Sequence, residues 1–269
     1  RPTGQMEEIT EYVKEVGKKA NLEVKQDKAG NVVIIKPASK GFESKDTVIL
    51  QAHLDMVPQK NSDVKHDFSK DPIDAYIEDD VVKARSTTLG ADNGIGVAMM
   101  LAIIEDNSLD HPQIEALFTI DEEVGMVGAF GLQKGFLNGK LMLNLDTEED
   151  GELCIGCAGG ADVNITFRYK DDTNLEVGDE AYKISLTGLK GGHSGAQIEL
   201  GRANDNKLMN RFLKELVRNY EARLSSIKGG SLRNAIPRES FAVVTIPEQL
   251  GDDLLDLVLE YEKLFRTEF

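Results

Sequence analysis

Three apolar runs in this chain each end on a residue type that binds metals well. This repeated pattern constrains the fold more than any other feature. Thr47 to Ala52 ends in His53-Leu54-Asp55, Glu115 to Ile120 ends in Asp121-Glu122-Glu123, and Leu141 to Leu145 ends in Asp146. Short apolar runs of this kind read as buried strands. In open α/β sheets, ligands bind outside the carboxyl ends of the strands. Three such ends presenting His, Glu and Asp converge on one cleft. A fourth acid, Asp92, lies in Gly90-Ala91-Asp92-Asn93-Gly94, just before an apolar helical run from Ile95.

The rest of the chain supplies supporting elements. Met6, Ile9, Val13, Val16 and Ala20 recur at spacings of three and four, which predicts an amphipathic helix. Leu22–Lys25 and Val32–Ile35, separated by the turn Ala29-Gly30-Asn31, predict a hairpin. A loop with a short strand near 80–84 follows. Ile95–Glu105 reads as a helix apolar nearly all round and therefore buried, and a second helix is read through Ala129, Phe130 and Leu132. Strand, helix, strand, helix, strand is an α/β order, so a mostly parallel central sheet with flanking helices is expected. After Gly159-Gly160 the pattern changes. Val163–Tyr169 and Tyr182–Leu189 alternate like half-exposed strands. Asn206–Tyr220 is helical, Phe241–Ile246 is a strand, and Leu250–Phe265 is helical. This is a smaller α+β domain, giving a division into residues 1–160 and 161–269.

Charge and cysteine content narrow the partners. Forty-seven acids against 31 bases give a formal net charge of −16. Binding to phosphate backbones needs clustered Lys and Arg, so no nucleic-acid partner is expected. No run approaches the roughly 18 apolar residues of a membrane span, and no signal-peptide pattern is present, so no membrane partner is expected. The chain begins at Arg1 without Met, which leaves the true N-terminus open. Cys154 and Cys157 read as packing thiols of a cytoplasmic protein rather than a redox pair or half a zinc site.

The donor set is that of a metal site. Zinc takes imidazole nitrogen and carboxylate oxygen, and His53, Asp92, Glu123 and Asp146 supply one of the former and three of the latter. Asp55 lies two residues after His53, so an extended backbone points both side chains the same way. A carboxylate there accepts the second N–H of the imidazole and fixes its tautomer. Of the neighbours Glu122 and Glu123, one can bind metal while the other takes a proton from water. Taken singly, each residue has a plainer reading: a hydrogen-bonded His, an N-capping Asp, a solvated acidic pair. The joint pattern favours metal. Gly90–Gly96 is not a phosphate cradle, because it matches no phosphate-loop pattern and Asp92 would repel phosphate. Ser194 in Gly191-Gly192-His193-Ser194-Gly195 is not in a G-x-S-x-G elbow.

These segments resemble a known family. His53-Leu54-Asp55-Met56-Val57-Pro58-Gln59-Lys60-Asn61, Thr87 to Gly96, Asp121 to Met126, Leu143 to Glu149, Gly188 to Gly195 and Arg233-Asn234-Ala235-Ile236-Pro237-Arg238 are similar, in this order, to motifs of the aminoacyl-histidine (Xaa-His) dipeptidases. These belong to the co-catalytic zinc peptidases. The resemblance implies two zinc ions, with manganese or cobalt also compatible. Asp92 bridges them, His53 and Asp146 complete one, and Glu123 binds the other. It implies Glu122 as general base toward the activated water and Asp55 as the partner of His53. His193 reaches the substrate and helps stabilise the oxyanion, and Asn234 lines the same pocket. The substrate implied is a small peptide, and residues 161–269 become a lid and dimerisation domain that makes a homodimer. Family members return to the first domain after the second and supply a last His. His66 and His111 do not fit that place, so the chain is read as a C-terminally incomplete fragment. Two rival readings stand beside this one: an amidohydrolase acting on N-acyl amino acids, and a non-catalytic metal-binding or dimerisation module.

Overall fold

The structure, a computed structural model, describes residues 2–149, 151–157, 159–171 and 178–269. The chain forms two compact units, Arg1–Gly160 and Ala161–Phe269. The first opens with α1 (Glu7–Lys19), β1 (Glu23–Gln26), β2 (Val32–Lys36) and β3 (Val48–His53). A small hairpin of β4 (Ala75–Glu78) and β5 (Val81–Ala84) follows, then α2 (Ala91–Glu105), β6 (Ile114–Thr119), the short α3 (Val127–Gly131) and β7 (Leu141–Asn144). Five strands make one sheet in the order β1-β2-β6-β3-β7. The apolar runs that carry site residues, β6, β3 and β7, pair in parallel, while β1 and β2 extend the sheet antiparallel. The sheet is therefore mixed, with its parallel part under the site. Every residue of β6 is buried, which explains the unbroken apolar run. Val13 and Val16 of α1 and Met100 and Ile104 of α2 pack with Ile34, Leu50, Ala116 and Phe118 in one core.

Register brings the strand ends together. His53 of β3 lies opposite Thr119 of β6, and Gln51 of β3 opposite Asn144 of β7. A polar ladder locks this alignment: Asn144 Nδ2 donates to Gln51 Oε1 at 2.5 Å, and Gln51 Nε2 to Thr119 Oγ1 at 3.0 Å.

In the second unit, β8 (Asp179–Leu186), β9 (Gly192–His193), α4 (Asp205–Asn219), β10 (Arg223–Gly229), β11 (Ala235–Ile236), β12 (Ser240–Pro247) and α5 (Gly251–Glu268) form a three-stranded antiparallel sheet, β10-β12-β8, and a β9-β11 pair. Met209, Phe212 and Leu216 of α4 and Leu254 and Leu257 of α5 pack on Val244 and Ile246. Among the described residues no helix is long and apolar enough to cross a membrane.

Several expectations are corrected. Val163–Tyr169 forms no strand; Val163, Ile165, Phe167 and Tyr169 are exposed and the segment pairs with nothing among the described residues. Alternation alone does not make a strand without a partner. α2 is not buried all round: Val97, Met100 and Ile104 face the core, whereas Ile95 and Met99 are exposed. The helix read through Ala129, Phe130 and Leu132 stops at Gly131, one residue before Leu132. Cys154 and Cys157 are exposed free thiols, not packing residues.

Candidate metal centre

The parallel register delivers His53, the Glu122-Glu123 pair and Asp146 to one side of the sheet, and α2 begins above them. Gly90 precedes this helix at φ +79°, where a Cβ would meet Met56 Sδ at 2.8 Å. Gly96, one turn into α2, sits against the strands; a Cβ there would lie 2.9 Å from the Leu145 carbonyl oxygen. Glycine at both points lets the helix start rest on the strand ends. Asp92 is not an N-cap: it has non-helical φ/ψ and its side chain reaches His53 instead.

His53 is 1% exposed and its two ring nitrogens face different partners. Nδ1 lies 3.0 Å from the Asp55 carbonyl oxygen and 3.3 Å from Asp55 Oδ1. Nε2 lies 2.9 Å from Asp92 Oδ1 and 3.5 Å from Asp146 Oδ1. Ligand atoms of His53, Asp92 and Glu123 all fall within 4.8 Å of one another, a group that can hold a metal ion. Asp146 stands beside this group. Asn93, buried at 1% exposure, donates from Nδ2 to Asp146 Oδ1 and to the Leu145 carbonyl, at 3.1 Å for the latter.

Asp55 ties the site together. Its Oδ1 accepts the Glu122 N–H at 3.0 Å, and its Oδ2 accepts the Glu123 N–H at 3.2 Å and the Thr3 hydroxyl at 2.9 Å. The loop after β6 is pinned from the other side by buried Asn31, whose Nδ2 donates to the Gly128 carbonyl at 2.8 Å.

Crowded acids shift the proton affinities. Burial opposes a charge on His53, but Asp146, Asp55 and Asp92 outweigh it and push its pKa up to about 12. Burial also opposes a charge on Asp55, yet His53, the two N–H groups and Thr3 together hold its pKa below the ordinary value. Asp146 behaves likewise: burial is overcome by His53 and Asn93, and its pKa is lowered. Burial, reinforced by Asp92 and Glu122, raises Glu123 to about 7. Glu122 is raised by burial, with His53 acting against this and Asp146, Asp55 and Asp92 adding to it. Several acids and one imidazole held this close leave a negative, oxygen-rich concavity suited to a divalent cation.

In the second unit the structure places His193 and Asn234 on neighbouring, paired segments. His193 of β9 lies opposite Ala235 of β11, and the Ser194 N–H donates to the Asn234 carbonyl at 2.8 Å. His193 Nδ1 accepts the Gly195 and Ala196 N–H groups at 3.1 and 2.9 Å. Its ring proton is therefore on Nε2, which is left as a donor. His66 meets Phe68 edge-on with ring centroids 4.5 Å apart, and buried His111 bonds the Pro112 carbonyl at 2.7 Å. Neither belongs to the cluster. Sequence reasoning missed Asn93 and Thr3. Asn93 had a signal in its place beside Asp92; Thr3, 52 positions from Asp55, had none.

The chain is 47% identical over 267 residues to the cytosol non-specific dipeptidase of Escherichia coli (strain K12), spanning 99% of this chain and 55% of that protein. It matches the crystal structure of aminoacylhistidine dipeptidase from Vibrio alginolyticus at 45% identity and a TM-score of 0.58, covering 100% of this chain and 55% of that one. A weaker match, 27% identical over 153 residues, is the uncharacterized protein YqjE of Bacillus subtilis (strain 168), covering 52% of this chain and 38% of that protein. The chain thus spans about half the length of its dipeptidase relatives. Residues 184–269 match the peptidase dimerisation domain, and residues 31–182, more than half of the chain, match peptidase family M28, so the chain belongs to peptidase family M28.

Proposed function

We propose that the whole protein hydrolyses dipeptides, of the Xaa-His type among them, in a metal-dependent reaction. The observation that carries this is the cluster itself: His53, Asp92 and Glu123 within 4.8 Å, with Glu122 next in the chain and raised in pKa. The donor set fits a divalent cation. His53 has its Nδ1 side satisfied by Asp55, so Nε2 would be the nitrogen offered to a metal, and carboxylate oxygens would supply the rest. His53, Asp92, Glu123 and Asp146 would hold a pair of zinc ions, and manganese or cobalt suits the same N/O donors. Such ions, when bound, polarise the peptide carbonyl and lower the pKa of water.

The chain's own residues do the proton work. Glu122 takes a proton from the attacking water as its oxygen bonds to the carbonyl carbon. It then passes that proton to the leaving amine as the C–N bond breaks. A base with a raised pKa is better matched to this task near neutral pH. Asp55 keeps the His53 ring in one tautomer and fixes the Glu122-Glu123 backbone. His193 and Asn234 of the second unit are the substrate-binding residues of this reading, with the His193 Nε2–H as a hydrogen-bond donor. Residues 161–269 make a homodimer, in line with their match to a dimerisation domain. A cytosolic location follows the name of the E. coli relative.

The test is Glu122→Gln in the whole protein. Hydrolysis of Ala-His should fall by about 10²–10⁴-fold, the usual share of a general base, with metal content unchanged. Loss of metal along with activity would make Glu122 a ligand and overturn its assignment as base. Faster turnover of acetylated amino acids than of dipeptides would replace the substrate class.

A further inference from the structure

We propose that Pro2 to Gln5 form a clip over the acidic site, in which Thr3 and the Gly4 N–H are positioning groups for Asp55 and Asp121. The inference rests on the dipeptidase reading for its kinetic test but on geometry alone for its existence. β3 and β6 are joined by main-chain bonds as far as Leu54 N–H to the Thr119 carbonyl, 2.9 Å. Beyond that point the two chain ends carry Asp55 and the Glu122-Glu123 pair, and the ladder no longer holds them. The N-terminal segment crosses this gap. Pro2 bridges Met56, and the Thr3 N–H donates to the Met56 carbonyl at 3.3 Å, so the segment is fastened to the end of β3. The Gly4 N–H donates to Asp121 Oδ1 at 2.7 Å, fastening it to the end of β6. The Gln5 N–H closes a turn on the Pro2 carbonyl at 3.1 Å, and buried Met6 anchors the clip in the core before α1 begins.

Each attachment acts on a group that the chemistry uses. The Thr3 hydroxyl donates to Asp55 Oδ2, the oxygen that also takes the Glu123 N–H. Held there, the carboxylate cannot rotate, and Oδ1 stays turned toward His53 Nδ1 and the Glu122 N–H. Asp121 has a left-handed backbone, φ +49°, at the corner from which Glu122 and Glu123 project. Its side chain is held by Gly4, and its carbonyl accepts the Val127 N–H at 3.0 Å. Gly4 itself is at φ +79° with no atom within 4 Å of where a Cβ would be, so glycine serves the backbone turn and not a tight space. Thr3 acts on the metal ligands through Asp55, and Gly4 acts on the Glu pair through Asp121.

The experiment uses the whole protein with Thr3→Val and Thr3→Ser, and Asp121→Ala with Asp121→Asn. Zinc affinity is read by chelator competition, turnover of Ala-His as separate kcat and KM, and His53 orientation by ring ¹⁵N shifts in the metal-free protein. Partners behind a metal ligand typically matter 10–100-fold. Thr3→Val should weaken zinc by about tenfold or more, lower kcat with KM unchanged, and move the His53 shifts. Thr3→Ser, which keeps the hydroxyl, should restore all three. Asp121→Ala should lower kcat, and Asp121→Asn should restore it. Thr3→Val with wild-type zinc affinity and shifts, or Thr3→Ser as impaired as Thr3→Val, overturns the proposal. Should Thr3→Val not fold, the Asp121 pair decides in its place. A wild-type protein that neither binds zinc nor cleaves dipeptides overturns the function, while the His53 shifts still test the clip.

Discussion

Replacing Asp55 by asparagine removes one charge and turns one acceptor into a donor. Four donors face this carboxylate: His53 Nδ1, the Glu122 and Glu123 N–H groups, and the Thr3 hydroxyl. An amide offers them one oxygen. If that oxygen keeps the Oδ1 side, the amide NH₂ faces the Glu123 N–H, and Thr3 turns to the Met56 carbonyl at 3.3 Å. If it keeps the Oδ2 side, the NH₂ faces the Glu122 N–H and the His53 ring. Either way a backbone donor is left without a partner at a carboxylate only 2% exposed, at a cost of about 1–3 kcal/mol. His53, 1% exposed, also loses one counter-charge, and removing one partner of a buried pair costs about 3–5 kcal/mol. The two costs overlap, so the metal-free protein should lose about 3–5 kcal/mol in urea unfolding at pH 7. The sign of the pH dependence follows from Asp55, whose folded pKa is lowered below 3.8 because its hydrogen bonds outweigh its burial. Its contribution is present above that ordinary value and fades as pH falls through the folded one, so the gap between wild type and variant should close in strong acid. A variant within about 1 kcal/mol of wild type at pH 7 would refute the view that this carboxylate holds the site together.

Two further perturbations test the frame around the site. Buried Lys36 donates to the Ile103 and Ile104 carbonyls at 2.7 and 3.2 Å and to that of Asp106, capping the end of α2, so Lys36→Met should cost about 2–3 kcal/mol in urea unfolding and spare the zinc affinity. Asp205, wholly buried at the start of α4, has neither carboxylate oxygen in a hydrogen bond among the described residues; burial raises its pKa more than the nearby Asn206 N–H lowers it. The contribution of a raised acid is fully present below its ordinary, unfolded pKa and is lost as pH rises through the folded one, so Asp205→Asn should be more stable than wild type by about 1–2 kcal/mol at pH 8 and by less at pH 4, measured as urea midpoints.

The sheet was legible where burial wrote it into the sequence. β3 and β6 are long apolar runs because they lie inside the sheet with strands on both sides. β7 was found by the same signal, although its four residues are exposed in this chain. β10 was missed because Arg223-Leu224-Ser225-Ser226-Ile227-Lys228-Gly229 lies at an edge and is mostly exposed. Its identity as a strand comes from pairing with β12, which local composition does not record. β4 was missed for a similar reason: its residues are almost all exposed, and it exists as the partner of β5. Val163–Tyr169 is the converse, an alternating pattern with no strand partner among the described residues.

The site divides along the same line. Metal-type side chains were visible because they sit at the ends of visible strands, and strand polarity said which end mattered. Asp55 was visible because period-two geometry carries a side chain from His53 to the same face two residues on. The residues that aim these groups left no such mark. Asn93 holds Asp146 from a position 53 residues away, and Gln51 bridges Asn144 and Thr119 across three strands. Each is an ordinary polar residue whose meaning depends on register. A one-residue slip of β7 against β3 would break the Asn144–Gln51 bond and carry Asp146 away from His53. The candidate ligands could therefore be read from local sequence, but their alignment could not: it is a property of the pairing, and the pairing is supported by polar contacts between residues far apart in the chain.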